Sequence, residues 1–283
     1  MAITIVKVSD AVGAEIRGVD LSRPLDGDTI AEIHAAWFEH ILLLFRDQDL
    51  SVEQQVEFAT CFGELGKRSR APKEKKPGDS DYRDSIMMVT NIKGDDGKPI
   101  GSFGDGEMWF HGDTCYYPVP NKITMLYAME LPSHGGNTRV NNMYAAYDRI
   151  PAELKARLEG HTVLQIHDYK RTERIDPDGD IEGMLHQHQP IFVTNPETGR
   201  RALYVNRLMS AKIDGFPRAE SDAILEQLFE IAEDPDLYYE HTWRLGDLLM
   251  WDNRCSIHAR TEFPKDEDRL LRRCTVKGEA MRA

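Results

Sequence analysis

The triplet His111-Gly112-Asp113 sets an imidazole and a carboxylate two positions apart. On an extended strand residues i and i+2 share a face, so both side chains aim at one point. Such a pair can ligate a metal, or it can simply hydrogen-bond within itself. A third ligand separates the two readings, and His258 offers one. It closes the segment Trp251-Asp-Asn-Arg-Cys-Ser-Ile-His258, just after a strand-like run from Asp247. Two imidazoles and one carboxylate on one face of a metal leave three octahedral positions open, the arrangement of non-haem Fe(II) oxygenases. A catalytic zinc is usually four-coordinate with one open position and suits this donor set less naturally. A metal-dependent hydrolase, or a cupin-like metal-binding protein without oxygenase activity, stands as the alternative.

The run Arg269-Leu-Leu-Arg272-Arg273 is the next chemical feature. Arg269 and Arg273 are four apart and share a strand face, with Arg272 on the other. An inward guanidinium is costly unless it meets an anion, and its fork suits a carboxylate held bidentately. Two inward arginines therefore point to two anions. An ordinary basic edge strand paired with Asp266, Glu267 and Asp268 accounts for the same spacing equally well. His186-Gln187-His188 is a rival metal pair, but it lacks a carboxylate at a recognisable third position and follows a charged loop. Cys255 lies three residues before His258, and acting as a nucleophile would require a lowered pKa and exposure.

HxD, then His after a WDNR segment, then Arg eleven residues later together resemble the taurine and 2,4-dichlorophenoxyacetate dioxygenase family of Fe(II)/2-oxoglutarate enzymes. The likeness runs from Gly13-Ala-Glu-Ile-Arg-Gly-Val-Asp-Leu21 through Leu44-Phe-Arg-Asp-Gln48, Phe62-Gly-Glu-Leu65, Gly135-Gly-Asn-Thr138 and Ala202-Leu-Tyr-Val-Asn206 to Arg273. It implies iron held by His111, Asp113 and His258, and a distorted double-stranded β-helix. It further implies that Arg269 grips the distal carboxylate of 2-oxoglutarate, with the Thr138 hydroxyl on the same ligand. Arg273 matches the arginine that holds the anionic group of the prime substrate, and Met209 falls at a pocket-lining position. The implied reaction consumes O2, yields succinate and CO2, and hydroxylates a small sulfonate, aryloxyalkanoate or other carboxylate. Where the hydroxylated carbon bears a leaving group, the product collapses to an aldehyde or ketone. Relatives are often dimers or tetramers, so a homo-oligomer is expected. Phe110 stands between Trp109 and His111, and Gln189-Pro-Ile-Phe-Val-Thr-Asn-Pro196 departs from the family's usual stretch, but neither change touches a ligand position.

These residues need elements to position them. Apolar Ile30, Ile33, Trp37 and Phe38 recur at helical spacing over 28–40, and 41–46 reads as a buried strand. Ser51 with Gln54 forms a capping box for a second helix ending near Gly63. Further helices are expected over 142–159 and 218–233, with a hairpin turn at 195–199. Strands are expected at 122–129, 161–167, 190–194, 202–205, 237–243, 247–251 and 270–277. Many short strands with a few flanking helices give an α+β, mainly β fold: one domain over 1–283, a jelly roll with helices outside. Loop insertions are expected near 67–81, 91–106 and 170–187, where prolines, glycines and charges gather.

Composition narrows the partners. The 283 residues carry 48 acidic against 35 basic side chains, a net charge of −13, which disfavours nucleic acid and anionic membrane. The longest apolar run, 41–45, is far too short to span a bilayer, and residues 1–10 lack a signal peptide's apolar core, so a cytoplasmic protein is expected. Four scattered cysteines without a CxxC pair suggest neither a zinc ribbon nor a disulfide framework. Positive charge is nonetheless concentrated. Over 67–76, Lys67, Arg68, Arg70, Lys73, Lys75 and Lys76 are offset only by Glu74, and the last strand is also basic. Arg68 and Arg70 are therefore further candidates for contact with an anionic substrate.

Overall fold

The computed structural model describes residues 3–67, 82, 84–104, 106–167 and 172–283. Its largest sheet has the order β1 (Thr4–Lys7), β2 (Ala14–Arg17), β3 (Leu42–Phe45), β14 (Leu248–Asp252), β6 (Asn121–Glu130), β16 (Leu270–Lys277), β4 (Ile86–Thr90). A four-stranded sheet has the order β13 (Tyr238–His241), β7 (Thr138–Asn141), β15 (His258–Arg260), β5 (Met108–His111). Two smaller sheets join β12 (Ser210–Ile213), β8 (Thr162–Ile166) and β9 (His186–Pro190), and pair β10 (Phe192–Thr194) with β11 (Arg201–Leu203). Among the described residues five α-helices accompany them: α1 (Gly27–His40), α2 (Val52–Thr60), α3 (Met143–Arg149), α4 (Ala152–Leu158) and α5 (Arg218–Ala232). The protein is thus mostly β with few helices.

The large sheet is apolar on both faces because its central strands alternate. On β3, Leu42 and Leu44 join one core cluster and Leu43 and Phe45 the other; on β14, Leu249 and Trp251 oppose Leu248 and Met250 in the same way. One cluster lies toward the four-stranded sheet and includes Met108, Phe110, Val140 and Ile257. The other is covered by α1 and α2 through Ile33, Trp37, Val56 and Phe58. Arg272 faces this helical side, where its Nε donates to Gln55 Oε1 (2.6 Å) and its Nη2 to the carbonyls of Leu50 and Ser51. It pins the start of α2, which Ser51 and Gln54 close with reciprocal capping bonds.

Several expected elements differ in detail. The helix expected over 142–159 is two, because Pro151 has no N–H to give and forces Ile150 out of helical conformation, to ψ 132°. Strands β4, β5, β7, β12 and β15 are short and carry polar or irregular patterns, so periodicity alone does not mark them. Residues 68–81 of the first expected loop lie outside the described residues, as do 105 of the second and 170–171 of the third.

His241 on β13 sits opposite Thr138 in register, fully buried, with its Nε2 3.0 Å from Asp247 Oδ2. Arg46 donates to the same carboxylate oxygen (2.8 Å). Burial pushes His241 below the ordinary imidazole value despite this carboxylate. Because the folded pKa lies below the unfolded one, acidification through about pH 6.5 protonates the unfolded chain first and costs stability. His241→Gln should therefore lose less melting temperature than the parent between about pH 7 and pH 5.5. Equal losses in both proteins would contradict this origin.

Candidate functional site

His111 and His258 lie on adjacent strands of the four-stranded sheet, where His258 on β15 pairs directly with His111 on β5. Their ring centroids are 4.1 Å apart. Strand β5 ends at His111, so Asp113 is not on a continued strand as the triplet spacing suggests. It sits in the following turn, where Thr114 takes a left-handed φ of 59°. The turn still brings the carboxylate back to the imidazoles: one ligand atom from each of His111, Asp113 and His258 lies within 4.8 Å of the others. Among the described residues, this is the one such group of histidine, cysteine or carboxylate side chains.

The large sheet holds Asp113 from the other side. Thr124 on β6 donates its hydroxyl to Asp113 Oδ2, and Asn253 Nδ2 donates to Thr124 Oγ1 (2.9 Å). Trp251 Nε1 donates in turn to Asn253 Oδ1 (2.9 Å). Arg273 on β16 brings its Nη2 to 2.7 Å from Asp113 Oδ2. Burial disfavours charge on Asp113, but Arg273, the two imidazoles and the Thr124 hydroxyl outweigh it and hold the carboxyl well below the usual range. Burial lowers both His111 and His258, so each is neutral near pH 7, the form that binds a metal. His111 Nδ1 lies 2.9 Å from the Trp109 carbonyl; donation there fixes the tautomer and leaves Nε2 as the lone-pair nitrogen. His258 Nδ1 is buried without a hydrogen-bond partner among the described residues. The His258 nitrogen nearest Asp113 is Nε2, 4.0 Å from Oδ2, and two neutral imidazoles converging with one carboxylate fit a divalent metal of the iron type.

Arg269 immediately precedes β16, and it lines the same cavity as Arg273, four positions on and on the same face. Its side chain is 2% exposed. Its Nε and Nη2 donate to the Gly136 carbonyl (3.2 and 2.9 Å), and among the described residues no carboxylate pairs with it. Burial pushes its pKa down to about 9, still charged at neutral pH. Gly136 is required for this approach, because a Cβ there would lie 2.8 Å from Arg269 Nε and the residue holds a positive φ of 64°. Thr138 also lines the cavity, and its Oγ1 accepts from Trp243 Nε1 (3.1 Å). With that lone pair occupied, the hydroxyl hydrogen is left to donate elsewhere.

The remaining candidates fall elsewhere. Met209 is buried with its sulfur 3.6 Å from Cys115 Sγ, and it is not among the residues lining this cavity. Arg68 and Arg70 lie outside the described residues. His186 and His188 are exposed, and His188 Nδ1 is 2.6 Å from Asp214 rather than near a second imidazole. Burial pushes the Cys255 thiol well above its ordinary value, which suits packing and not nucleophilic attack. Sequence spacing missed Thr124, Trp243, Arg260 and Phe103; the first three act through tertiary hydrogen bonds to residues more than ten positions away. Only Thr124 had a legible signal, its place on an alternating strand.

A family model described as "Taurine catabolism dioxygenase TauD, TfdA family" matches residues 4–275. The (S)-phenoxypropionate/alpha-ketoglutarate-dioxygenase of Sphingobium herbicidovorans is 33% identical, with 98% of this chain and 96% of the relative covered. The alpha-ketoglutarate-dependent 2,4-dichlorophenoxyacetate dioxygenase of Cupriavidus pinatubonensis is 30% identical over 95% of each chain. Among solved structures, AAD-2 in complex with Mn(II) and N-oxalylglycine superposes with a TM-score of 0.81 at 30% identity and covers 100% of both chains.

Removing a ligand should abolish metal retention. In calorimetric titration with Co(II), His111→Ala and Asp113→Ala should each bind at least about 100-fold more weakly than the parent. Parent-like affinity in either variant would remove that residue from the metal site.

Proposed function

Because the chain belongs to the taurine catabolism dioxygenase TauD, TfdA family, we propose that it hydroxylates a small anionic organic substrate, with an aryloxyalkanoate or related carboxylate favoured over a sulfonate. The enzyme is an alpha-ketoglutarate-dependent dioxygenase, an oxidoreductase that requires Fe(II), 2-oxoglutarate and O2. The observation that carries the substrate and co-substrate reading is the surplus of guanidinium in the cavity, where Arg269 and Arg273 join Arg260 around the one lining carboxylate, Asp113. A guanidinium as buried as Arg269, with one backbone carbonyl as its acceptor and no carboxylate beside it among the described residues, calls for an anionic partner.

In this reading His111, Asp113 and His258 hold the iron, which supplies a redox-active centre with open positions for co-substrate and oxygen. Arg269 receives the distal carboxylate of 2-oxoglutarate through its fork, and Thr138, its hydroxyl oriented by Trp243, donates to the same ligand. Arg273 receives the carboxylate of the prime substrate. Val89, Met108 and Leu126 give the substrate's apolar body a dry wall and keep water from the reacting carbon. When the hydroxylated carbon bears an aryloxide, the product is a hemiacetal that collapses to a carbonyl compound and a phenol.

The same reading takes 1–283 as a single domain of the double-stranded β-helix type, a cytoplasmic homo-oligomer of two or four chains. No described helix is long and apolar enough to cross a membrane. The net charge of −13 argues against nucleic acid as a partner.

The test is anaerobic reconstitution with Fe(II), then oxygen with 2-oxoglutarate and a panel of aryloxyalkanoates, other carboxylates and sulfonates, with succinate as readout. At least one aryloxyalkanoate should stimulate succinate formation; stimulation by sulfonates alone would overturn the carboxylate preference. In Arg273→Ala the substrate KM should rise about 100-fold while substrate-independent turnover of 2-oxoglutarate survives. Unchanged substrate affinity would reassign Arg273 to structure.

A further inference from the structure

Part of the cavity's lining lies outside the strands of both main sheets. It comes from the segment after β4, which turns back so that Ser102 bridges Val89 in parallel. Thr90 N donates to the Ser102 carbonyl (3.0 Å) and Ser102 N to the Met88 carbonyl (2.9 Å). Gly101 allows this approach, since a Cβ there would lie 2.2 Å from the Met88 carbonyl oxygen. The next residue, Phe103, takes a left-handed φ of 63°, strained for an aromatic residue, and lines the cavity beside Val89, Met108 and Leu126.

A single side chain ties this wall to the metal-binding strand. Arg260, two residues after His258 on β15, donates Nη1 to the Phe103 carbonyl (2.7 Å), and its Nε and Nη2 to the Gly106 carbonyl (3.0 and 2.7 Å). It is 7% exposed and lines the same cavity. Three charge-assisted bonds to two carbonyls of one segment fix the segment's backbone, and with it the unusual conformation of Phe103.

We propose that Phe103 determines specificity by setting how large an apolar body the enzyme accepts, and that Arg260 is the positioning residue that holds Phe103 in place. The proposal rests on the reading of the substrate as an organic carboxylate. The strain at Phe103 persists because Arg260 and the Ser102 bridge over-determine it, and a wall fixed in this way discriminates by shape rather than yielding to a larger ring. Arg260 thereby acts through the placement of Phe103.

Binding without turnover separates this role from chemistry. Protein loaded with Co(II) and N-oxalylglycine is titrated calorimetrically with phenoxyacetate and with the bulkier 2-naphthyloxyacetate. The parent should prefer phenoxyacetate by about tenfold or more, the scale at which hydrophobic pockets discriminate. Phe103→Ala should shrink that preference to about threefold or less, with Phe103→Leu between. Arg260→Met should shrink it similarly, and the double variant should add little, because both changes remove one wall. Co(II) affinity should be unchanged in Phe103→Ala. If the parent binds neither carboxylate, the substrate reading fails and this inference falls with it. If the parent discriminates and the Phe103 variants keep its ratio, the inference alone is overturned. Additive effects of the Phe103 and Arg260 changes would overturn the positioning role of Arg260.

Discussion

Buried charge is the constraint on which this structure turns. Asp113 is an anion held almost out of water, and isolating a carboxylate in that way is far costlier than any single hydrogen bond repays. The fold meets the constraint from two sides. The small sheet contributes the imidazoles of His111 and His258, while the large sheet contributes the Arg273 guanidinium and the Thr124 hydroxyl. The position of the carboxylate therefore fixes how the two sheets must meet, and the hydrogen-bonded series Trp251, Asn253, Thr124 carries that registration back into the core.

Arg269 states the same constraint with the opposite sign. A guanidinium that is 2% exposed and bonded to one backbone carbonyl is stabilised fully only when an anion arrives. Its neighbours prepare for that event: Gly136 permits the approach, and Trp243 turns the Thr138 hydroxyl outward. The interior thus stores positive potential close to the metal ligands, in a chain whose net charge is strongly negative. Small dianions gain from such a site, whereas extended polyanions meet a repelling surface.

Much of this was legible in the sequence for physical reasons. The triad His111, Asp113 and His258 and the arginines Arg269 and Arg273 are residues whose chemistry is specific, and their order along the chain is itself informative. The capping box at Ser51 and the alternation in β3 and β14 are local signals, and local signals survive in sequence. The residues that escaped detection act through tertiary contacts. Arg260 reaches back across more than 150 positions to Phe103 and Gly106, and Asn253 meets Thr124 across 129. The HxD spacing suggested one continuous strand, whereas β5 ends at His111 and a turn delivers Asp113. The long helix after Asn142 failed at Pro151, where backbone chemistry overrides an apolar period.

The central claim is that a metal and a dicarboxylate occupy adjoining sites built by the triad and Arg269. Calorimetric titration of 2-oxoglutarate into Co(II)-loaded parent and Arg269→Gln protein tests it most directly. Loss of the guanidinium should weaken 2-oxoglutarate binding by about 30-fold or more, the scale of a lost buried charge-assisted pair, while Co(II) affinity stays at the parent value. Equal 2-oxoglutarate affinity in the two proteins would contradict the account.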